Sequence, residues 1–250
     1  PPRSTLSSSS AASDVYKRQK RYKVPEDGLD NFPYLAHQNS LKNPAALFNS
    51  TQVSPEKIRS ARTIIDPVKL FDCSPVCDGA AAVILAPSKH ARAYTSRPVR
   101  ILGSAVANDK LRVSDRQDPL HMDAACISAQ KALRVAKLKS KNIHFFEIHD
   151  AFSIITCLSL EAAGFARQGE GWRLAAEGQI WPDGELPICT RGGLKARGHP
   201  VGATALYQTC EIVEQLTGRA GDNQLKGPEI ALMNSVGGAA STLITTVFAV

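Results

Sequence analysis

The stretch from Arg191 to Thr204 reads R-G-G-L-K-A-R-G-H-P-V-G-A-T, and it restricts the fold more than any other part of the chain. Gly192, Gly193, Gly198 and Gly202 allow backbone conformations and close approaches that side chains forbid, and Pro200 fixes the local φ. Here the main chain can come close to a ligand. Downstream, Ala205, Leu206, Thr209, Cys210, Ile212, Val213 and Leu216 fall at helical spacing, with Gly218 placed to end the helix. The stretch therefore predicts a glycine turn feeding a helix, with His199 just ahead of the helix N-terminus. A P-loop would need Lys then Ser/Thr after its last glycine, whereas Gly198 is followed by His199 and Pro200, so that reading fails. A lone histidine in a glycine turn is as a rule structural, and the surrounding blocks decide its role.

Those blocks include both strand-like and helix-like segments. Pro1 to Gln19 is serine-rich without an apolar period, so disorder is expected there. It also resembles translated sequencing-adapter sequence, and no native element is expected in it. Helices are predicted over Asn31 to Leu41 and Pro55 to Ser60, the second started by Ser54 before Pro55. Ala80 to Ala86, an apolar run between Gly79 and Pro87, reads as a buried strand, and Val99 to Val106 as another. Ala125, Ala129, Ala132, Leu133 and Ala136 form a mostly small helical stripe suited to close packing on a sheet. Asn142 to Ile148 reads as a strand running into His149, Asp150, Ala151 and Phe152, with a helix from Ile154 to Gly164. Strand C-termini of this kind are where ligand sites gather in α/β folds. Glu229 to Met233 is a predicted strand, Asn234 to Ala240 a glycine turn and Ser241 to Val250 a closing strand.

Three ordered blocks are similar to those of one family. G-G-L-K-A-R-G-H-P-V-G-A-T resembles the Gly-His-Pro motif of thiolases, H-D-A-F at His149 to Phe152 stands upstream, and N-S-V-G-G at Asn234 to Gly238 stands downstream. The resemblance runs from about Leu35 to Val250. The H-D-A-F form is closer to archaeal-type and sterol-carrier-type thiolases than to biosynthetic ones, which carry Asn-Glu-Ala-Phe. It implies a thiolase-like α/β fold in which residues 20–96 end an N-terminal domain and residues 97–250 form the C-terminal domain. It also implies an acyltransferase acting on acyl-CoA thioesters, with the coenzyme A thioester as substrate rather than a resident cofactor, and a homo-oligomer at full length. By resemblance, His199 is the base that takes a cysteine's proton. His149 helps form one oxyanion hole, the Gly237 N–H serves a second, and Ser74 lies near the pantetheine arm. Asp150 is expected to be structural, and Ser74 before Pro75 is equally turn chemistry.

Two departures qualify the activity. Ser235-Val236-Gly237 stands where biosynthetic and degradative thiolases have an acid/base Cys-x-Gly, and Ala151 stands where sterol-carrier-type enzymes have His-Asp-Cys-Phe. A hydroxyl is a far weaker acid than a thiol; archaeal-type enzymes look similar in this respect. The family's nucleophilic cysteine also has no counterpart before Leu35. Cys73 and Cys77 belong to a different block, so the chain is expected to be a fragment without its nucleophile and inactive alone. The alternative is a non-catalytic acyl-CoA-binding or scaffolding protein on the same fold. A ketoacyl synthase is disfavoured by the G-H-P-V-G-A-T block.

Composition narrows the partners. The formal net charge is +7, yet the charge is spread without a basic stripe interleaved with aromatics, so no nucleic-acid partner is expected. No apolar run reaches the roughly 18 residues of a membrane span, and the expected location is cytoplasmic, away from membranes. The six cysteines are scattered, which suits reduced thiols, and Cys73-x-x-x-Cys77 lacks a second pair for zinc; no metal is expected.

Overall fold

In the computed structural model, which describes residues 4–250, the helices and strands follow in chain order. First come α1 (Ser4–Tyr22), α2 (Asn31–Ser40), α3 (Pro55–Arg59), β1 (Thr63–Ile65), β2 (Val68–Lys69) and α4 (Ser88–Ala91). Then come β3 (Arg100–Asn108), α5 (Asp123–Ala136), β4 (Phe145–Glu147), α6 (Ser153–Ala162), α7 (Gly171–Ala176), α8 (Thr204–Thr217), β5 (Ile230–Gly237) and β6 (Thr242–Ala249). The fold is the expected α/β type with a mixed sheet in the order β3-β6-β5-β4. β6 reads T-L-I-T-T-V-F-A, rich in the β-branched residues that suit a pleated surface. It pairs antiparallel with both β3 and β5, while β4 lies parallel to β5 with Glu147 opposite Met233.

Side-chain alternation along β5 divides the core between the two sheet faces. Leu232 turns toward the cluster that includes α5 and α6, whereas Ala231 and Met233 meet Ile212 and Leu216 of α8. The small stripe of α5 packs closely, as its composition suggests: Ala124, Ala125, Ala129 and Ala132 are buried, and Ser128 Oγ lies 2.8 Å from Thr245 Oγ1 on β6. Gly103 on β3 completes this contact, because a Cβ there would run into the carbonyl oxygen of Ala132 and lie 3.0 Å from Ala136 N. Gly103→Ala should therefore destabilise the fold by about 1–3 kcal/mol through overpacking. An unchanged urea midpoint would show that α5 can move away at no cost.

Three expectations are corrected. Residues Ser4–Tyr22 are helical rather than disordered, with Ala11, Ala12 and Val15 buried and Arg18 ion-paired with Glu161 of α6. Their amphipathic pairing depends on a surface distant in sequence, which serine-rich composition does not reveal; residues 1–3 lie outside the described residues. Ala80 to Ala86 forms no strand, and Ile84 and Leu85 are 97% and 77% exposed. An apolar run becomes a strand only where a ladder of backbone partners exists, and among the described residues none lies beside it. The N-S-V-G block belongs to β5 and not to a turn, since the antiparallel ladder continues to Gly237 opposite Thr242. The reversal is tightened to Gly238 and Ala240, at φ +60° and +59°.

Helix α8 forms where its spacing places it and ends at Gly218. Of the apolar residues at helical spacing, Ile212 and Leu216 are buried, but Leu206 is exposed and Ala205, Thr209, Cys210 and Val213 are half-buried. The buried face is instead the polar row Thr204, Gln208, Glu211 and Gln215, one residue per turn. Apolar spacing marks the helix and Gly218 ends it, but the polar groups it buries depend on specific partners described below. Among the described residues, no helix is long and apolar enough to cross a membrane.

Candidate active site

β4 runs into the core as F-F-E and ends where Ile148 carries the chain toward His149 and Asp150. His149 leaves the strand with its N–H donated to Asn234 Oδ1 at 2.8 Å. Asp150 turns the other way and receives the backbone N–H groups of Leu194 at 2.6 Å and Lys195 at 3.4 Å. Those amides belong to a single π-helical turn, Gly193–Arg197. A side chain at Gly193 would strike the Asp150 carboxylate, with its Cβ 2.6 Å from Oδ2, and Gly193 itself sits at φ +54°. Asp150 thus anchors the loop that leads to His199.

That loop is clamped from several sides. Glu147 Oε1 accepts from Thr190 N at 2.9 Å and Thr190 Oγ1 at 2.7 Å. Asn39 Nδ2 donates to Cys189 O, Asn43 Nδ2 to Arg191 O, and Asn223 Nδ2 to both Thr190 O and Asn39 O. Leu47 N and Phe48 N donate to the carbonyls of Arg197 and Ala196. Lys195 is buried with Nζ donating to Asp72 O at 2.6 Å, and burial pushes its ammonium below the ordinary lysine range. These buried polar residues were missed in the sequence. A polar row at i, i+4 and i+7 on an otherwise apolar helix, as in Thr204, Gln208 and Glu211, is the signal that finds part of the set.

At the end of the loop, His199 N donates to Pro75 O at 3.1 Å and His199 O accepts from Cys77 N at 3.3 Å. Ser74 N donates to Ala151 O at 2.9 Å, so the Cys73–Cys77 segment lies along both histidine loops. His199 Nδ1 lies 2.7 Å from Thr204 Oγ1, in the first turn of α8. The His149 and His199 rings stand edge to face with centroids 5.3 Å apart. His149 is only 7% exposed, and burial, then the neighbouring His199, then Arg197 push it down to about 3. Burial also lowers His199, with Asp150 opposing and Arg197 assisting. Both imidazoles are therefore uncharged at neutral pH.

Behind them, Arg197 forms a buried ion pair with Glu211 and lies 5.0 Å from the centre of the Tyr207 ring. Burial and the adjacent Glu211 push Glu147 well above the usual carboxylate range. The fold thus brings together His149, His199 and the Ser74 segment. Gly237 lies on β5 three residues beyond Asn234, and an added Cβ there would meet Thr242 at 3.5 Å. An uncharged imidazole with one nitrogen held by a hydroxyl can accept a proton at the other. A second uncharged imidazole beside it can donate a hydrogen bond to developing negative charge. Among the described residues, no group of three or more His, Cys, Asp or Glu is placed to hold a metal ion.

Residues 105–250 match the family described as thiolase C-terminal domain-like. The chain is 40% identical over 227 residues to an acetyl-CoA acetyltransferase of Methanothermobacter thermautotrophicus, covering 91% of this chain and 59% of that relative. It is 32% identical over 214 residues to sterol carrier protein 2 of Oryctolagus cuniculus, covering 84% of this chain and 39% of the relative. The chain thus spans about half the length of these curated relatives. Among solved structures, an Ltp2-ChsH2(DUF35) aldolase superposes with a TM-score of 0.88 at 20% identity, covering 97% of this chain and 63% of that one.

Proposed function

Because the chain belongs to the thiolase family, we propose that it forms the C-terminal part of an acyltransferase that acts on acyl-CoA thioesters, of the acetyl-CoA C-acyltransferase type. In this reading residues 97–250 are the C-terminal domain and residues 20–96 the end of the N-terminal one, in a cytoplasmic homo-oligomer without a resident cofactor. The observation that carries it is the pair of uncharged imidazoles, His149 and His199, held edge to face by a strand end and a glycine turn.

The chemistry follows from their positions. His199 receives the proton of a nucleophilic thiol, and the thiolate attacks the thioester carbonyl. The carbonyl π electrons move to oxygen, where the His149 ring donates a hydrogen bond. As the carbonyl re-forms, the C–S bond to coenzyme A breaks and the proton on His199 passes to the departing thiolate. Gly237 N–H is assigned to the second oxyanion and Ser74 to the pantetheine arm, which the Ser74–Ala151 contact supports. We place the nucleophilic thiol outside these residues: Cys157 and Cys189 are buried and their thiols pushed up by burial, and Cys73 is likewise raised.

Acetoacetyl-CoA cleavage with free coenzyme A tests this on the 250-residue chain and on the longest natural chain that contains it. The longer chain should turn over and the shorter one should not. Turnover by the shorter chain that survives Cys73→Ser with Cys77→Ser refutes the location of the thiol. Binding of acyl-CoA without any transfer by the longer chain would favour the non-catalytic acyl-CoA-binding alternative, which Ser235 and Ala151 support.

A further inference from the structure

β4 and β5 are ladder partners only as far as Glu147 and Met233. Beyond that point the chain of β4 leaves through Ile148 to carry His149, while β5 continues to Gly237. Two main-chain carbonyls, Glu147 O and Asn234 O, lie where the strands part. Gln208 of α8 fills the gap: its Nε2 donates to Glu147 O at 3.0 Å and to Asn234 O at 3.2 Å. Two carbonyl acceptors admit only the NH₂ end of the amide, which has one hydrogen for each. Asn234 closes the ring by accepting His149 N–H on its own side chain. Glu147, Gln208 and Asn234 are all nearly inaccessible to water, so these bonds have no solvent competitor.

The same helix holds the other imidazole. Thr204, one turn before Gln208, contacts His199 Nδ1. One helix therefore touches the supports of both rings, whose centroids lie 5.3 Å apart. We propose that Gln208 is a positioning residue that sets His149 relative to His199 by clamping the parting ends of β4 and β5. The proposal rests on reading His149 as the group that meets the thioester oxygen. It deepens that reading by naming what holds the ring still.

Gln208→Met keeps the length and bulk of the side chain and removes both donors. In the longest natural chain containing these residues, amide-resolved hydrogen exchange should show His149 N–H exchanging about tenfold faster, as expected for a weakened buried hydrogen bond. The amides of Phe146 and Val247 should be unchanged. The kcat for acyl transfer should fall about 10–100-fold from misplacement of the ring, with KM for acyl-CoA within about twofold. Gln208→Glu should recover part of the His149 protection at low pH, where its carboxyl is protonated and can donate once.

Unchanged His149 exchange in Gln208→Met overturns the proposal, and so does faster exchange with an unchanged kcat. If Gln208→Met does not fold, the unaltered protein decides: side-chain NH₂ protons of Gln208 that exchange as fast as those of an exposed glutamine overturn the clamp, and slow exchange supports it. A natural chain without acyl transfer refutes the thiolase reading, while the exchange data still decide the clamp.

Discussion

Replacing His199 with alanine, in the longest natural chain that contains these residues, is expected to slow acylation by about 100- to 10,000-fold, the usual cost of losing a general base. A free thiol has a pKa of about 8.5 and offers little thiolate at neutral pH without help. His199 supplies that help because burial keeps its imidazole uncharged and Thr204 holds Nδ1 at 2.7 Å, leaving the other nitrogen to accept the proton. Burial holds its folded pKa below the ordinary value of 6.5, so the acid-side fall in rate should lie below that of an exposed histidine. Binding of coenzyme A should be nearly unchanged. Single-turnover acylation measured from mildly acidic to mildly alkaline pH checks this, and a variant that acylates at the parental rate throughout would remove His199 from the role.

The largest stability effect should come from Arg197→Met. Glu211 is almost completely buried, and Arg197 is its ion-pair partner. Removing one member of such a pair leaves an uncompensated buried charge and costs about 3–5 kcal/mol, a large part of the roughly 5–15 kcal/mol that holds a domain together. Burial already pushes the Glu211 carboxyl up, and Arg197, by charge and hydrogen bond, is what chiefly opposes that push. Adding Glu211→Leu should recover most of the loss, since an apolar pair of similar volume is often neutral or stabilising in place of a buried ion pair.

The pH dependence of that single variant has a definite sign. Without Arg197, the Glu211 carboxyl is held further above its unfolded value, so the folded state binds a proton that the unfolded state releases. The deficit against the parent should be smallest at low pH and grow once pH passes the parent's own Glu211 pKa, which burial already holds above the ordinary carboxylate value. Urea unfolding of the parent, single and double variants at several pH values measures it. A single variant within about 1 kcal/mol of the parent, or a double variant no more stable than the single, would contradict the account.

What was readable from the sequence was local. The glycines and Pro200 placed His199 ahead of a helix, and the F-F-E run placed His149 at a strand end. The small stripe of α5 announced close packing on the sheet. Each of these depends on residues near one another in the chain, where backbone sterics and side-chain period act directly. The three ordered motif blocks likewise pointed to the thiolase family.

What tertiary structure decided was every question of partnership. Ala80 to Ala86 has the composition of a buried strand and yet stays exposed, because a strand requires backbone partners that its own residues cannot supply. Helix α8 buries Thr204, Gln208, Glu211 and Gln215 because His199, the carbonyls of Glu147 and Asn234, Arg197, and the backbone of Asn223 and Leu225 meet them there. Asn39 and Asn223 meet across most of the chain's length. Periodicity reports which way a side chain points, but whether a polar group can be buried depends on a complementary donor or acceptor brought from elsewhere in the fold.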